Sequence, residues 1–305
     1  LYYIRNLRKV KTLDVVSICN ALVDVLVPAK DSDIDKLGLN KGIMHLVDDE
    51  RQQEVIHHFG QAETTRELGG SCMNAIRTLA ALGVKTSFAG AVGDDPYGEM
   101  IAKRMAELGI NAHLKHAQAH TGTCFILVSP DGERTMNTCL GASCLYNESI
   151  VPERDVAQAK IFHFSAYQWA NHGQIRAMRR ALDIAAANDT LISFDLADPF
   201  VVKTYRGQLL PIIKEYADIV FANREETELL YGGTIETACK KLVDLDSLAV
   251  IKLGAQGAIV ASGQDRLTIA PVETQVVDTT AAGDMFASGF LYGMVHKLPL
   301  STCGH

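Results

Sequence analysis

The hydrophobic positions of this chain follow two periods. Short apolar runs of strand length occupy residues 14–19, 87–92, 161–165, 191–195, 218–222, 249–253 and 258–261. Between several of them lie longer segments with helical spacing. In one, Ile76, Leu79, Ala80 and Leu82 share a face and Gly83 supplies a stop. Further helices are predicted over 97–108, closed by Gly109, and over 174–187, 203–216 and 285–296. Asp48 is placed to cap another, over 48–59. Strands that alternate with helices predict an α/β chain, with a mostly parallel sheet and helices on both faces. Ligands then lie beyond the carboxyl ends of the strands. Residues 64–68, 110–115, 124–129 and 133–139 break the pattern, because they are short strands without helices between most of them.

Composition narrows the classes. The chain has 305 residues, 48% of them hydrophobic and 21% charged, enough for a sizeable core and against disorder. A net charge of −7 speaks against a nucleic-acid binder. No apolar run approaches the roughly 20 residues of a membrane span, so no membrane partner is expected. No signal peptide is visible, and the opening Leu1 predicts that residues precede it. Seven cysteines without a Cys-x-x-Cys pair predict reduced thiols and a cytoplasmic location. His113, His116 and His120 form the one histidine cluster. They read as a solvated loop or strand end rather than a zinc site.

The chemistry concentrates in residues 277–284. A small, flexible turn there opens the helix over 285–296, and Asp284 sits in its first turn. The free N–H groups of Ala281, Ala282, Gly283 and Asp284 predict an anion site, helped by the helix dipole. A base beside an anion site is what phosphoryl transfer to a hydroxyl requires. The alternative is an ordinary helix-start charge after a turn glycine. Earlier, Asp24 interrupts an apolar segment, which costs free energy unless the carboxylate is paired or faces a ligand. Gly69 and Gly70 precede a helix with Asn74 in its first turn, either loop punctuation or a place where a diol meets the backbone. Asn223 and Glu226 at a strand end read as helix capping with first-turn acids. Lys252, Gly254 and Gly257 end a later strand in a Gly-x-x-Gly turn. There is no Gly-x-x-x-x-Gly-Lys-Ser/Thr loop, and no Gly-x-Gly-x-x-Gly after the first strand.

The run Asp278-Thr279-Thr280-Ala281-Ala282-Gly283-Asp284 resembles the C-terminal signature of the ribokinase-like (PfkB) sugar and nucleoside kinases. The Gly69–Asn74 segment resembles their N-terminal signature, and the likeness runs from about Asp14 to the end. The resemblance implies a ribokinase-like fold across 1–305, with a small β-sheet lid from residues 23–47 and 110–139. It implies that Asp284 is the base, with Ala281, Ala282 and Gly283 as the anion hole. Asp24, Gly69, Gly70 and Asn74 would hold the sugar. Asn223 and Glu226 would lie near the phosphates and the hydration shell of Mg²⁺, and Lys252, Gly254 and Gly257 would line the ATP site. Asp278 and Thr280 would help to ring a K⁺ ion. Members usually continue past the point where this chain stops.

The resemblance implies ATP as donor and a primary hydroxyl as acceptor. Residues 20–24, 163–169 and 195–200 resemble adenosine-kinase-type members, whereas Thr-Thr-Ala-Ala resembles ribokinase. The expected reaction is adenosine to AMP, with a free sugar such as ribose or fructose as the alternative. A ligand-binding relative without turnover is the rival of another class. Tyr167, Trp169, Phe125 and Leu127 are candidates for a wall against a base. Monomer and homodimer both stay open.

Overall fold

The structure is a computed structural model that describes residues 10–60, 62–169, 171–274 and 281–305. Its strands are β1 (Leu13–Ile18), β2 (Leu22–Pro28), β3 (Met44–Leu46), β4 (Thr65–Gly69), β5 (Thr86–Gly93), β6 (Asn111–Ala117) and β7 (Gly122–Val128). They continue as β8 (Arg134–Cys139), β9 (Ala159–Ser165), β10 (Leu191–Asp195), β11 (Ile219–Asn223), β12 (Leu248–Lys252), β13 (Ala258–Ser262) and β14 (Asp265–Ile269).

Nine strands form one sheet in the order β14-β13-β12-β11-β10-β9-β1-β5-β6. It is parallel from β12 to β6 and ends in the antiparallel strands β13 and β14. The alternation within each strand builds two cores. On one face Val16, Ile18, Phe162, Phe164, Val220 and Ile251 meet the helices His172–Ala187 and Pro199–Tyr216. On the other Val15, Ile161, Phe221 and Val250 meet the helices Ser71–Ala81 and Ala282–Val295. Strands buried on both faces explain why these runs are apolar at both parities, with only a few polar residues such as Ser17 and His163 among them.

The strand order reverses between β1 and β9, which opens a crevice at their carboxyl ends. A five-stranded sheet, β3-β8-β7-β2-β4, stands at that crevice. Its outer face is covered by the helix Asp49–Phe59. Gln52 of that helix donates to the carbonyls of Thr123 and Asn137, at 3.1 and 3.0 Å. Phe59 lies against Phe125, ring centroids 6.0 Å apart.

Two expectations are corrected. The segment expected as a lid over 110–139 divides. β6 pairs with β5 at the edge of the large sheet, and only β7 and β8 enter the small one. Hydrophobic pattern did not separate them, since each is a short strand and only pairing assigns it. β4 joins the small sheet beside β2. In sequence, residues 268–277 read as a strand running into a loop; the strand is instead Asp265–Ile269, the second arm of a hairpin. Residues 275–277 lie outside the described residues, as do Asp278 and Thr280.

Candidate functional site

A cavity of about 290 Å³ lies between the small sheet and the carboxyl ends of the large one. Three carboxylates and one ammonium line it: Asp24, Asp195, Asp284 and Lys252. Each is delivered by a different element. Asp24 is central in β2, Asp195 ends β10, Lys252 ends β12, and Asp284 is in the first turn of Ala282–Val295.

Ala281 precedes that helix at φ 56°, a left-handed conformation that a residue with a Cβ rarely adopts. The turn starts the helix abruptly toward the cavity, and Ala281, Ala282 and Gly283 all line it. First-turn amides have no partner inside a helix, so they suit an anion. A Cβ on Gly283 would lie 3.2 Å from Lys252 Nζ, which places the ammonium beside these amides. Lys252 Nζ also donates to both oxygens of Asp195, at 3.0 and 3.1 Å. Burial opposes its charge, but Asp195, Glu226 and Asp284 outweigh burial and raise its pKa.

Asp284 is held from the far end of the chain. Ser71 Oγ donates to its Oδ1 at 2.7 Å, and Asn74 Nδ2 to its Oδ2 at 3.0 Å. Burial nevertheless raises the carboxyl to about 6. Asp24 is also raised to about 6, first by burial, with Asp284 adding repulsion and Arg77 opposing it. Asn74 is buried, and its Oδ1 accepts no hydrogen bond from the described residues. That orphaned acceptor suits a ligand hydroxyl.

The paired glycines have a packing reason as well. A Cβ on Gly69 would sit 2.0 Å from Asp24 Oδ1, so the absent side chain makes room for that carboxylate. Gly70 is at φ 97°, and a Cβ there would meet the Asn20 carbonyl at 2.5 Å. Gly70 lines the cavity, while Gly69 supports it from behind Asp24.

Asn223, Glu226, Gly254 and Gly257 lie outside this cavity's lining. Asn223 and Glu226 form a capping box. Glu226 N donates to Asn223 Oδ1 at 2.8 Å, and Asn223 N donates to Glu226 Oε2 at 2.7 Å. Burial raises Glu226 to about 7, and Asp195 adds to it. Gly254 opens the short turn between β12 and β13, and Gly257 closes it at φ 83°. A Cβ on Gly257 would meet the Ile269 carbonyl at 2.0 Å.

Of the four residues expected as a wall against a base, only Tyr167 lines the cavity. Trp169 is packed in the core against Phe164 and Phe194. Phe125 and Leu127 have the wrong parity along β7, and Cys124 and Ile126 face the cavity instead. Phe200, Tyr205, Met44, Leu46 and Met136 add to the apolar lining. Sequence reasoning did not name Ser71, Asp195 or Phe200 as site residues. Position at the carboxyl end of a strand was a signal for Asp195, Ser71 lies inside the Gly69–Asn74 signature, and Phe200 ends the 195–200 run.

A carboxylate close to helix-start amides and an ammonium can take a hydroxyl proton while an anion is held beside it. The comparisons with known proteins agree with this chemistry. The sequence profile of the pfkB family carbohydrate kinases matches residues 33–305. An adenosine kinase from Sinorhizobium meliloti superposes with a TM-score of 0.89 at 33% identity, covering 96% of this chain and 90% of that one. A probable sugar kinase from Rhizobium etli CFN 42 has a TM-score of 0.91, again at 33% identity and with the same coverage. An uncharacterized sugar kinase of Archaeoglobus fulgidus is 29% identical over 232 residues, 74% of this chain and 89% of its own. The fold is ribokinase-like, and the chain belongs to the pfkB family of carbohydrate kinases as an ATP-dependent kinase acting on a sugar or nucleoside.

Proposed function

We propose that this chain transfers the γ-phosphoryl group of ATP to the 5′-hydroxyl of adenosine, giving AMP. The observation that carries the reading is the facing pair Asp24 and Asp284 in one cavity with an apolar wall. Asp24 and the free Oδ1 of Asn74 accept from neighbouring ribose hydroxyls, which leaves the 5′-hydroxyl against Asp284. Asp284 takes its proton as the phosphoryl group transfers. The amides of Ala281, Ala282 and Gly283, with Lys252, hold the charge that develops on the phosphoryl oxygens. Gly70 lets the sugar approach the backbone, Gly69 leaves room for the Asp24 carboxylate that holds it, and Gly254 and Gly257 border the donor nucleotide.

Glu226 and Asn223 fit the edge of a Mg²⁺ hydration shell. A carboxyl that burial raises to about 7 is relieved by a nearby cation. When bound, Mg²⁺ neutralises phosphate charge. Asp278 and Thr280 are proposed ligands of K⁺, on the strength of the signature alone. Free thiols at all seven cysteines fit a cytoplasmic setting.

The base decides between a nucleoside and a free sugar. A sugar is polar on most of its surface, whereas Met44, Leu46, Ile126, Met136, Tyr167 and Phe200 offer an apolar wall. That wall suits a purine better than another hydroxyl. The Rhizobium etli relative, named as a probable sugar kinase, favours the second reading, a free-sugar kinase of the ribose or fructose type.

The test is phosphate transfer from MgATP to adenosine, 2′-deoxyadenosine, ribose and fructose. Adenosine is expected to have the highest kcat/KM. Loss of a hydrogen-bonded hydroxyl leaves buried groups unpaired, so 2′-deoxyadenosine should be poorer by roughly 10² or more. Ribose or fructose outperforming adenosine would defeat the nucleoside reading and leave the kinase intact.

A further inference from the structure

The histidine cluster of residues 113–120 is dispersed by the fold. His113 pairs with Asp155 and His116 with Asp94, whereas His120 points elsewhere. Its Nε2 meets Asp49 Oδ1 and stands 3.9 Å from Cys139 Sγ. Cys139 Sγ lies 3.2 Å from the same Asp49 oxygen. One oxygen, one nitrogen and one sulfur, from three separate parts of the chain, lie within 4.8 Å of one another.

We propose that Asp49, His120 and Cys139 form a binding site for a thiophilic divalent cation of the zinc class, where the chain crosses between the two sheets.

Three observations carry it. The first is the donor set. A thiolate and an imidazole select zinc-like ions over Mg²⁺ or Ca²⁺, which take oxygen ligands. The second is spacing. Tetrahedral Zn²⁺ with bonds of about 2.0–2.3 Å holds its ligand atoms ~3.3–3.7 Å apart. The sulfur separations of 3.2 and 3.9 Å bracket that range, and the His120–Asp49 contact would open to admit the ion. Asp49 can move, since its side chain is 68% exposed at the first residue of its helix. The third is the tautomer. His120 Nδ1 donates to the Thr121 carbonyl at 2.9 Å, so Nε2 is the ring nitrogen left for a metal; it now donates to the Asp49 carboxylate and would give up that proton on binding. A metal-binding histidine is usually fixed in this way. Gly141 leaves the ring its space, because a Cβ there would come within 2.8 Å of Cε1 and 2.9 Å of Nδ1.

Location gives the site its consequence. His120 lies in the link from β6 of the large sheet to β7 of the small one. Cys139 ends β8, just before the chain returns toward the large sheet through the 3-10 helix Gly141–Leu145. Asp49 opens the helix that covers the small sheet. One ion would tie both crossings to that helix. Binding exchanges the Cys139 thiol proton and the His120 Nε2 proton for the metal and releases both to solvent, and water completes the fourth position on the exposed side.

The experiment titrates the purified chain with Zn²⁺ against a chromophoric chelator, and with Co²⁺ as a spectroscopic probe. One Zn²⁺ per chain is expected, with a thiolate-to-cobalt charge-transfer band and tetrahedral d–d bands for Co²⁺. Cys139→Ser should remove the charge-transfer band, and His120→Ala and Asp49→Asn should each weaken Zn²⁺ at least about tenfold. Asp49 is exposed, so its variant reads the site even if Cys139→Ser fails to fold. Cys144 is the exposed thiol, and Cys144→Ser should leave the band unchanged. Absence of stoichiometric binding by the parent chain, or Zn²⁺ affinity unchanged in both Asp49→Asn and His120→Ala, would overturn the proposal. So would a charge-transfer band that survives Cys139→Ser.

Discussion

Asn74 donates its side-chain amide to Asp284 across a sequence separation of 210 residues, at 3.0 Å. The bond joins the helix that follows the paired glycines to the helix that opens at Ala281. Ser71 adds a second bond from the same helix, so the orientation of the Asp284 carboxylate is over-determined. Asp284→Asn is close in shape and should fold. It cannot take a proton, and turnover should fall by roughly 10² to 10⁴. Steady-state kinetics at saturating MgATP checks this, and wild-type turnover would remove Asp284 as the base.

The same bonds set a pH dependence. Burial holds Asp284 at about 6, while Ser71 and Asn74 pull it downward. A base must be ionised, so kcat/KM should fall as pH drops through about 6 and level off above. Asp24, also near 6, should steepen the fall if its carboxylate holds the sugar as proposed. Ser71→Ala deletes one bond to the ionised form. The acid limb should therefore move to higher pH, with a rate loss of about tenfold or less at alkaline pH. A profile that only scales down, with its midpoint fixed, would mean that Ser71 does not tune the base.

How much of this could be read from the chain depends on the range of the interaction. Asp284 and Asn74 were legible because each sits in a local pattern, a turn before a helix. The parallel sheet was legible because Phe162, Val220 and Ile251 belong to short runs that are apolar on both faces. Parity was not. In β7, Phe125 and Leu127 are as hydrophobic as Ile126, and only the position of the helix Asp49–Phe59 decides which side is outside. The ion pair of Lys252 with Asp195 joins two strand ends 57 residues apart, and no local spacing encodes it. The assignment of β6 to the large sheet was lost for the same reason, since an edge strand and a strand of the small sheet have similar patterns.

The signature run Asp278–Asp284 implies a monovalent cation beside the helix start. The carboxylate of Asp278 and a backbone carbonyl such as that of Thr280 are oxygen donors of the kind a hard cation takes. At equal ionic strength, K⁺ should raise kcat relative to a large organic cation. Equal rates in the two salts would remove the proposed ring.

Glu226 gives a stability prediction with a defined sign. It is buried and raised from its ordinary 4.5 to about 7, by burial first and by Asp195 next. Between those values the folded chain binds more protons at this site than the unfolded chain does. Its contribution to stability therefore declines as pH rises from about 4.5 to about 7, and it is constant above. Glu226→Gln removes the titration but keeps an acceptor for the Asn223 backbone N–H. It loses the bond from Asn223 Nδ2, now 2.8 Å from Oε1, which costs about 1 kcal/mol at every pH. Lys252 loses a neighbouring charge and retains its contacts with both oxygens of Asp195. The variant should therefore melt below the parent at pH 5, with the gap closing or reversing at pH 8. Asp24 and Asp284 titrate with the same sign in both proteins, so the difference between the melts isolates Glu226. A gap that is the same at both pH values would show that Glu226 ionises normally in the fold.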